Sequence, residues 1–479
     1  MKIYIFLLLV LAVETAKAQN KQGMVRAIET CACPIKTDSS FLMTCAYLIV
    51  PENRKKNNGR TVKLPFIIVH SKNPAKKKDP FLYTTGGPGG SSLGWAEGVP
   101  MHSPIKDRDC IAFEQRGTYF AVPRLDGDEL DTAIKASYRR NLNKDSMVLE
   151  GVKLYRRAME AKGIDLLGYN TDESVADIDD LLVSLRIDSV NLFGGSYSGG
   201  LMMAVLQKDP ARVRSLVLDS PLPTFIPVDQ EEPHNFIEAL DILLDRVQKD
   251  SADKVLYGNV KAVFRQYFTS IAKTTFFLRY LEKGTRDSVN IAYTKNELLD
   301  IIVGNMFDPS NYKNVASLIV DIAAGHHQKY MRGKLDDIFS GHQGPSAMRI
   351  SVYCADQDAY NDVSVLEQLY TIYPFMKGYH INDVYKPICD CWNVPPIAKQ
   401  TKQQFYAATP ALLSDGIMDA ACRPIYIDQI HHYMPNSQRL LFTNRGHMTG
   451  SRYFDELLGR FLNNPFEKLQ SVQDDVVVY

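Results

Sequence analysis

The run Gly-Gly-Ser-Tyr-Ser-Gly-Gly at residues 194–200 restricts the possible folds of this chain more than any other segment. It directly follows a predicted strand at residues 189–193, and a predicted helix begins at residue 199. A nucleophile on such a sharp strand-to-helix turn is held in a strained conformation, so it needs small neighbours two positions away. Gly194 meets that need, whereas Ser198 stands where glycine is usual. The turn makes Ser196 the candidate nucleophile, with Ser198 as the alternative.

A Gly/Ser-rich turn before a helix could instead bind phosphate, because the N-terminus of a helix attracts anions. This turn contains no Lys or Arg, and the Gly-x-Gly-x-x-Gly spacing of dinucleotide-binding loops is not met. Both observations favour a nucleophile over a phosphate site.

Strand and helix patterns alternate on either side of this turn. Strands are predicted at residues 44–50, 61–70, 80–85, 110–113, 213–219, 411–413 and 439–443, and helices at 172–185, 199–208 and 426–432. Thr171 is the expected N-cap of the helix over 172–185. This order predicts an α/β fold with a mostly parallel sheet and helices on both faces.

The chain has 479 residues, which is too long for one ordinary domain. Between the two strand-containing parts, apolar residues such as Phe236 and Leu240 recur at helical spacing. We therefore predict a large, mainly helical lid at residues 225–404. It is inserted into one core that consists of residues 19–224 and 405–479.

The charge balance excludes several classes of protein. Lys+Arg and Asp+Glu each number 55, so the formal net charge is zero, whereas a nucleic-acid-binding protein normally carries an excess of positive charge. Hydrophobic residues make up 45% and charged residues 23%, as in ordinary globular domains. Beyond the N-terminus no apolar run is long enough for a spanning helix, so we expect no membrane span in the mature chain.

Residues 1–18 have the pattern of a secretory signal peptide. Lys2 precedes an apolar run at residues 3–13, and Ala-Lys-Ala at residues 16–18 fits the preference of signal peptidase for small residues. The sequence thus predicts cleavage after Ala18 and a secreted or periplasmic protein. An uncleaved N-terminal anchor is the alternative.

Export would make disulfides the expected state of the eight cysteines. Two Cys-x-Cys pairs, at residues 31–33 and 389–391, lack the Cys-x-x-Cys spacing that zinc sites favour, so no metal is expected. We expect one bridge from Cys45 to either cysteine of the first pair, and another from Cys354 to either cysteine of the second. The alternative is that several cysteines remain reduced and buried.

Two further residues complete a set with the candidate serine. His447, on a loop after the last strand-like run, can take the proton of a serine hydroxyl near neutral pH. Asp419 follows a strand by a full loop and would orient that histidine, with Asp415 and Asp428 as alternatives. The chain order serine, aspartate, histidine is that of α/β-hydrolases.

The run Gly-Gly-Pro-Gly-Gly at residues 86–90 also follows an early strand. Acyl transfer builds negative charge on an oxygen, and backbone N–H groups must approach that oxygen closely to stabilise it. We predict that the amides of Gly87 and Tyr197 form this oxyanion hole.

Together with Glu-Gln-Arg-Gly-Thr at 114–118, Gly-Ile-Met-Asp at 416–419 and Gly-His at 446–447, these motifs resemble the α/β-hydrolase serine aminopeptidases. This group contains the prolyl iminopeptidases and the secreted tripeptidyl aminopeptidases. The sequence departs from the family pattern at Glu114, where Asp is usual, and at Ser198.

The resemblance implies a lidded enzyme that needs no cofactor and releases short units from the N-termini of peptides, often at proline. Family members hold the substrate ammonium with acidic lid residues, a role for which Glu231 and Glu232 are the candidates here. Two alternatives stay open: an esterase that uses the same three residues on small esters, and an inactive hydrolase-fold binding protein.

Overall fold

The computed structural model describes residues 26–36, 41–56, 58–98, 106–341, 344, 346–471, 473 and 475–479, so the predicted signal peptide lies outside it. The strands are β1 Ala27–Thr30, β2 Met43–Pro51, β3 Thr61–Val69, β4 Phe81–Thr84, β5 Cys110–Phe113, β6 Val190–Gly195, β7 Val213–Asp219, β8 Phe276–Leu281, β9 Ser288–Tyr293, β10 Ala411–Gly416, β11 Ser437–Phe442 and β12 Val476–Val478. The helices are α1 Trp95–Gly98, α2 Glu129–Arg140, α3 Lys144–Ala161, α4 Thr171–Ser184, α5 Tyr197–Lys208, α6 Val228–Lys249, α7 Ser251–Tyr257, α8 Val260–Ser270, α9 Lys295–Met306, α10 Tyr312–Ala323, α11 Gln328–Ser340, α12 Ser346–Asp356, α13 Val363–Ile372, α14 Lys386–Trp392, α15 Ile425–Tyr433 and α16 Arg452–Asn463. Within the described ranges, no helix is both long enough and apolar enough to cross a membrane.

The main sheet has ten strands among the described residues, in the order β1-β2-β3-β5-β4-β6-β7-β10-β11-β12. Strands β5, β4, β6, β7, β10 and β11 run parallel, whereas β1 to β3 and β12 are antiparallel additions at the two edges. The loops that follow parallel strands emerge at the same edge of the sheet, which is where α/β proteins bind ligands. The loops after β4, β6, β10 and β11 therefore come together.

Both faces of the sheet are buried against helices. On β7, Leu216 and Leu218 belong to an apolar cluster that includes α3, α4, α5 and α15, while Val217 between them belongs to a second cluster with α1 and α16. A strand buried on both faces has a continuous apolar sequence rather than an alternating one. The predicted layers, a mostly parallel sheet between two sets of helices, are confirmed.

The predicted limits of the elements differ from the observed ones by a few residues. Strand β7 begins and ends where the sequence predicted, and β6 continues beyond its predicted end to Gly195. Helix α4 begins at Thr171, because the N-cap is Asn170, whose side chain accepts a hydrogen bond from the amide of Glu173. The prediction of Thr171 as the cap was one residue late.

Residues 225–404, the predicted lid, contain helices α6 to α14 and the β8–β9 hairpin. Phe236 and Leu240 lie in an apolar cluster separate from the two clusters of the sheet, and α2 contributes Tyr138 to it. The hairpin was not predicted, although β8 alternates in burial and Gly284 has a φ of +82° in the turn that follows. The limits of the lid remain a prediction.

The buried side chains of α12 and α14 belong to the apolar cluster of α3, α4, α5 and α15 rather than to the lid cluster. Trp392 of α14 is fully buried against Tyr155 of α3, with 5.8 Å between the ring centroids. Its indole N–H donates to the hydroxyl of Ser351 on α12 at 2.8 Å. One end of the inserted region is thereby held to the core.

Two disulfides are present among the described residues. One joins Cys354 of α12 to Cys389 of α14, and the other joins Cys33 to Cys45 of β2. Both expected bridges are confirmed, and the structure selects one cysteine from each Cys-x-Cys pair.

Candidate active site

Ser196 lies at the junction between β6 and α5. Its backbone has φ 54° and ψ −129°, a combination that residues with a side chain rarely adopt. A Cβ atom on Gly194 would lie 2.2 Å from the carbonyl oxygen of Ser198, so only glycine fits there. The amide of Ser196 donates to the carbonyl oxygens of Asp219 and Ser220 at the end of β7, both at 3.1 Å. The neighbouring strand thus holds the strained turn in place.

Ser198, the alternative nucleophile, lies in the protein interior and bonds to the backbone. Its side chain is fully buried, and Oγ accepts a hydrogen bond from the amide of Gly195 at 2.9 Å. The same hydroxyl lies 2.9 Å from the carbonyl oxygen of Thr84 on β4 and 2.8 Å from that of Gly195. Serine at this position therefore links two strands, which accounts for its presence where glycine is usual.

The half-buried His447 forms a pair with the fully buried Asp419. Nδ1 of His447 lies 2.8 Å from Oδ2 of Asp419. The other oxygen of Asp419 accepts hydrogen bonds from the amides of Ala421 and Cys422, both at 2.8 Å, which fix the orientation of the carboxylate. Burial alone would lower the pKa of His447, but the charge of Asp419 and its hydrogen bond outweigh burial and raise that pKa above its ordinary value.

The other two candidate acids have different partners. Asp415 is fully buried on β10, where Oδ1 accepts a hydrogen bond from the amide of Gly416 at 2.7 Å. Burial and the nearby charge of Asp419 raise the pKa of Asp415 well above its usual value. Asp428 on α15 forms an ion pair with Arg439 at 2.6 Å. Of the three candidates, Asp419 is the one whose carboxylate contacts His447.

Ser196 and His447 line one cavity of about 510 Å³, which we call the Ser196 cavity. Gly86 and Gly87 form part of its wall. A Cβ atom on Gly86 would lie 2.9 Å from Cβ of Ser196, so glycine is required for the loop to approach the serine this closely. The candidate nucleophile, base and oxyanion loop, which are far apart in the sequence, are therefore neighbours.

Tyr197 takes part in the site through its backbone rather than its side chain. It is the first residue of α5, so its N–H has no acceptor within the helix. Its side chain is buried, and the hydroxyl lies 2.7 Å from the hydroxyl of Thr171. A backbone amide with no acceptor in its own helix is consistent with the predicted role beside Gly87.

The profile of the family described as "alpha/beta hydrolase fold" matches residues 79–449. The chain belongs to the α/β-hydrolase family. No curated protein matches the sequence. Similar solved structures include a serine hydrolase from Cycloclasticus zankles, at 14% identity, 89% coverage of this chain, 100% coverage of that chain and a TM-score of 0.37. The proline iminopeptidase of Mycobacterium smegmatis is similar at 13% identity, with 88% coverage of this chain, 98% coverage of that chain and a TM-score of 0.41. An esterase from Exiguobacterium antarcticum is similar at 11% identity, with 85% coverage of this chain, 96% coverage of that chain and a TM-score of 0.36.

The two glutamates predicted to bind substrate in this α/β-hydrolase point in different directions. Glu232 of α6 lines the Ser196 cavity. The carboxylate of Glu231 instead accepts a hydrogen bond from the hydroxyl of Tyr426 on α15 at 2.7 Å. Adjacent residues on a helix do not share a face, whereas residues three positions apart do. The partner of Glu232 is accordingly Asp229, one turn earlier on α6, which the sequence analysis missed.

Asp229 and Glu232 are close enough for their charges to interact. Burial, and then the charge of Asp229, raise the pKa of Glu232 well above its usual value. Burial likewise raises the pKa of Asp229 to about 6, although that carboxylate accepts hydrogen bonds from Asn382 and Asn361. The lid therefore presents the carboxyl group of Glu232 to the Ser196 cavity, and Asp229 lies close to it.

Arg349 of α12 connects the glycine loop to Asn382, the residue that donates a hydrogen bond to Asp229. Its guanidinium donates to the carbonyl oxygen of Gly87 at 2.6 Å and to the side-chain oxygen of Asn382 at 3.0 Å. A further pair of hydrogen bonds to Asp383, at 2.8 and 2.6 Å, fixes its orientation. No sequence motif marked Arg349, because its role depends on contacts between a lid helix and a core loop.

Glu114, the second departure from the family pattern, supports the same loop region. It is fully buried after β5 and accepts hydrogen bonds from the amide of Ser92 and the hydroxyl of Thr118, both at 2.8 Å. Burial raises its pKa.

In the part of the chain that the structure describes, no group of three or more His, Cys, Asp or Glu side chains is arranged to hold a metal ion.

Proposed function

We propose that this protein is a serine aminopeptidase that releases short N-terminal units from peptides through an acyl-enzyme. The single observation that carries the proposal is that the strained Ser196, the His447–Asp419 pair and the half-buried carboxylate of Glu232 meet around one cavity. Ser196, His447 and Asp419 are the residues that nucleophilic acyl transfer requires. The carboxylate of Glu232 is a group that can bind an ammonium ion.

In the proposed mechanism, His447 takes the proton of Ser196 as the hydroxyl attacks the scissile carbonyl. Asp419 holds the imidazole in the correct tautomer and stabilises its positive charge. The amides of Gly87 and Tyr197 stabilise the oxyanion, with Arg349 positioning the Gly87 peptide through its carbonyl oxygen. His447 then gives its proton to the leaving amine, and water hydrolyses the acyl-enzyme.

Glu232 favours a peptidase that recognises a free amino terminus. Because its pKa is raised, the carboxyl retains its proton to higher pH than an ordinary glutamate when the site is empty. An arriving ammonium supplies the opposite charge that favours ionisation, and a charge-assisted hydrogen bond forms away from bulk water. A neutral acyl ester gains nothing from this group.

Glu232→Gln should raise KM for peptides with a free amino terminus by about 10-fold or more, which corresponds to the 1.5–3 kcal/mol of a charged hydrogen bond. Glu231→Gln is the matched control, since this neighbour binds Tyr426 and should leave KM nearly unchanged. Steady-state kinetics on a peptide and on its N-acetylated form measure both effects.

The acetylated peptide separates the proposal from its rivals. A protein that cleaves free and acetylated peptides equally, or only short acyl esters, is not an aminopeptidase of this kind. Hydrolysis of esters alone would favour the esterase interpretation, and inertness toward every acyl substrate would favour a binding protein.

The raised pKa of His447 predicts a particular pH dependence. The base must be neutral to act, so kcat/KM should fall as pH decreases through a value above 6.5, the ordinary pKa of histidine. Asp419→Asn removes the charge that raises the pKa and should move the titration of His447 to lower pH. NMR titration of the imidazole in both proteins measures this shift, and an unchanged or higher pKa in the variant would contradict the assigned pairing.

We further propose that the protein works in an oxidising compartment outside the cytoplasm. The Cys33–Cys45 and Cys354–Cys389 disulfides support this, because such bonds form and persist mainly in exported proteins. The predicted signal peptide at residues 1–18 is in accord with it.

A further inference from the structure

A second cavity, of about 670 Å³, lies beside the Ser196 cavity. Helices α2 and α3 form one wall, and α9 with residues 379–388 of the lid forms the other. Phe307, Ile381 and Asn382 line both cavities, so the two are adjacent and share a wall. The size of the second cavity is typical of sites that bind organic ligands.

Phe307 and Glu232 both line the Ser196 cavity, and each of them also lines one further cavity. Phe307 lies edge-on to His447, with 6.4 Å between the ring centroids, and leads to the second cavity. Glu232 leads instead to a third cavity, of about 380 Å³, whose wall it shares with Asp229. The leaving amine must be next to His447, which protonates it, so the chain beyond the cut begins on the side of Phe307.

The walls of the second cavity combine apolar and charged side chains. Leu130 of α2 and Val303 of α9 supply apolar surface. Lys144 of α3 lies 3.3 Å from the carboxylate of Glu297, which also accepts a hydrogen bond from the hydroxyl of Tyr138 at 3.3 Å. A peptide suits such walls, since its apolar side chains gain from burial while its backbone groups can find polar partners.

We propose that the second cavity binds the part of an oligopeptide substrate that follows the scissile bond, with apolar residues at the first positions after the cut. This inference rests on the proposed aminopeptidase function. It adds the substrate class, namely peptides that continue for several residues beyond the cut rather than dipeptides or aminoacyl arylamides.

Gly304 of α9 offers a way to fill this cavity without disturbing the fold. It lines the cavity, and a Cβ atom on it would meet no heavy atom within 4 Å. Gly333 of the neighbouring helix α11 is equally open and serves as the matched control. The experiment compares the wild-type protein, Gly304→Trp and Gly333→Trp on peptides that share one N-terminal unit and carry one to five residues, apolar or acidic, after the cut. An arylamide of the same unit is the short substrate.

In the wild-type protein and in Gly333→Trp, kcat/KM should rise about 10-fold or more with each of the first apolar residues added after the cut, and less with acidic ones. In Gly304→Trp this gain should disappear while hydrolysis of the arylamide is unchanged, which also shows that the variant folds. Arylamide cleavage with no dependence on peptide length, or a gain that survives in Gly304→Trp, would overturn the inference and leave the proposed function standing. Ester hydrolysis without any cleavage of peptides or arylamides would overturn both.

Discussion

Replacing Ser196 by alanine is expected to lower kcat by about 10⁶-fold, as loss of the nucleophile does in other serine hydrolases with a histidine base. The variant should also lose its covalent labelling by a fluorophosphonate, because labelling requires a hydroxyl that attacks phosphorus and displaces fluoride. Intact-protein mass spectrometry measures the adduct, and steady-state kinetics on an aminoacyl arylamide measure the loss of turnover. The fold should be unaffected, since the strained backbone at this position depends on Gly194 and on hydrogen bonds from the amide rather than on the hydroxyl.

Ser198→Ala is the matched control for this prediction. It removes a buried hydroxyl that bonds to β4 and β6, so it should cost about 1–3 kcal/mol of stability. Labelling should persist in the folded protein. An adduct on Ser196→Ala, or its loss in folded Ser198→Ala, would transfer the nucleophile to Ser198.

Asp419→Asn is expected to lower kcat by about 10⁴-fold, because an amide leaves the imidazole in the wrong tautomer and removes the charge that stabilises the imidazolium. The two amide donors from Ala421 and Cys422 to Oδ1 can be kept by the asparagine oxygen, so the fold should survive. Single-turnover kinetics at saturating substrate measure the chemical step directly.

Asp415→Asn provides the comparison for that variant. Burial and the charge of Asp419 raise the pKa of Asp415, which disfavours its charged form, so we expect an amide of the same shape to change little. We expect kcat within about 10-fold of the wild-type value. A larger loss in Asp415→Asn than in Asp419→Asn would assign the acid to β10 instead of the loop that follows it.

The layers of the core were predictable from the sequence because local signals and tertiary structure agree there. A buried parallel strand needs a continuous apolar run, and a sharp turn into a helix needs small residues, so β6, the turn and α5 could be recognised together. The spacing of Asp419 and His447 behind two further strands then followed from the order of a parallel sheet. Their meeting is a consequence of strand order rather than of any local pattern.

The lid was less predictable because its contacts join segments that are distant in sequence. Arg349 reaches the carbonyl oxygen of Gly87 across the boundary between lid and core, and no local pattern records such a bond. Glu231 and Glu232 were chosen as a pair for their charge, whereas helical geometry places Asp229 on the same face as Glu232 and turns Glu231 toward Tyr426. The three-residue spacing between Asp229 and Glu232 on one helix is the sequence signal that indicates this pair.

Mass spectrometry of a peptide mixture after incubation with the protein tests the proposed aminopeptidase activity most directly. Each peptide is present with a free and with an acetylated amino terminus, and Ser196→Ala is run in parallel. Short N-terminal fragments should appear only from peptides with free amino termini and only with the wild-type protein. Cuts in the interior of the peptides, equal cleavage of acetylated peptides, or the same products from Ser196→Ala would contradict the proposed activity.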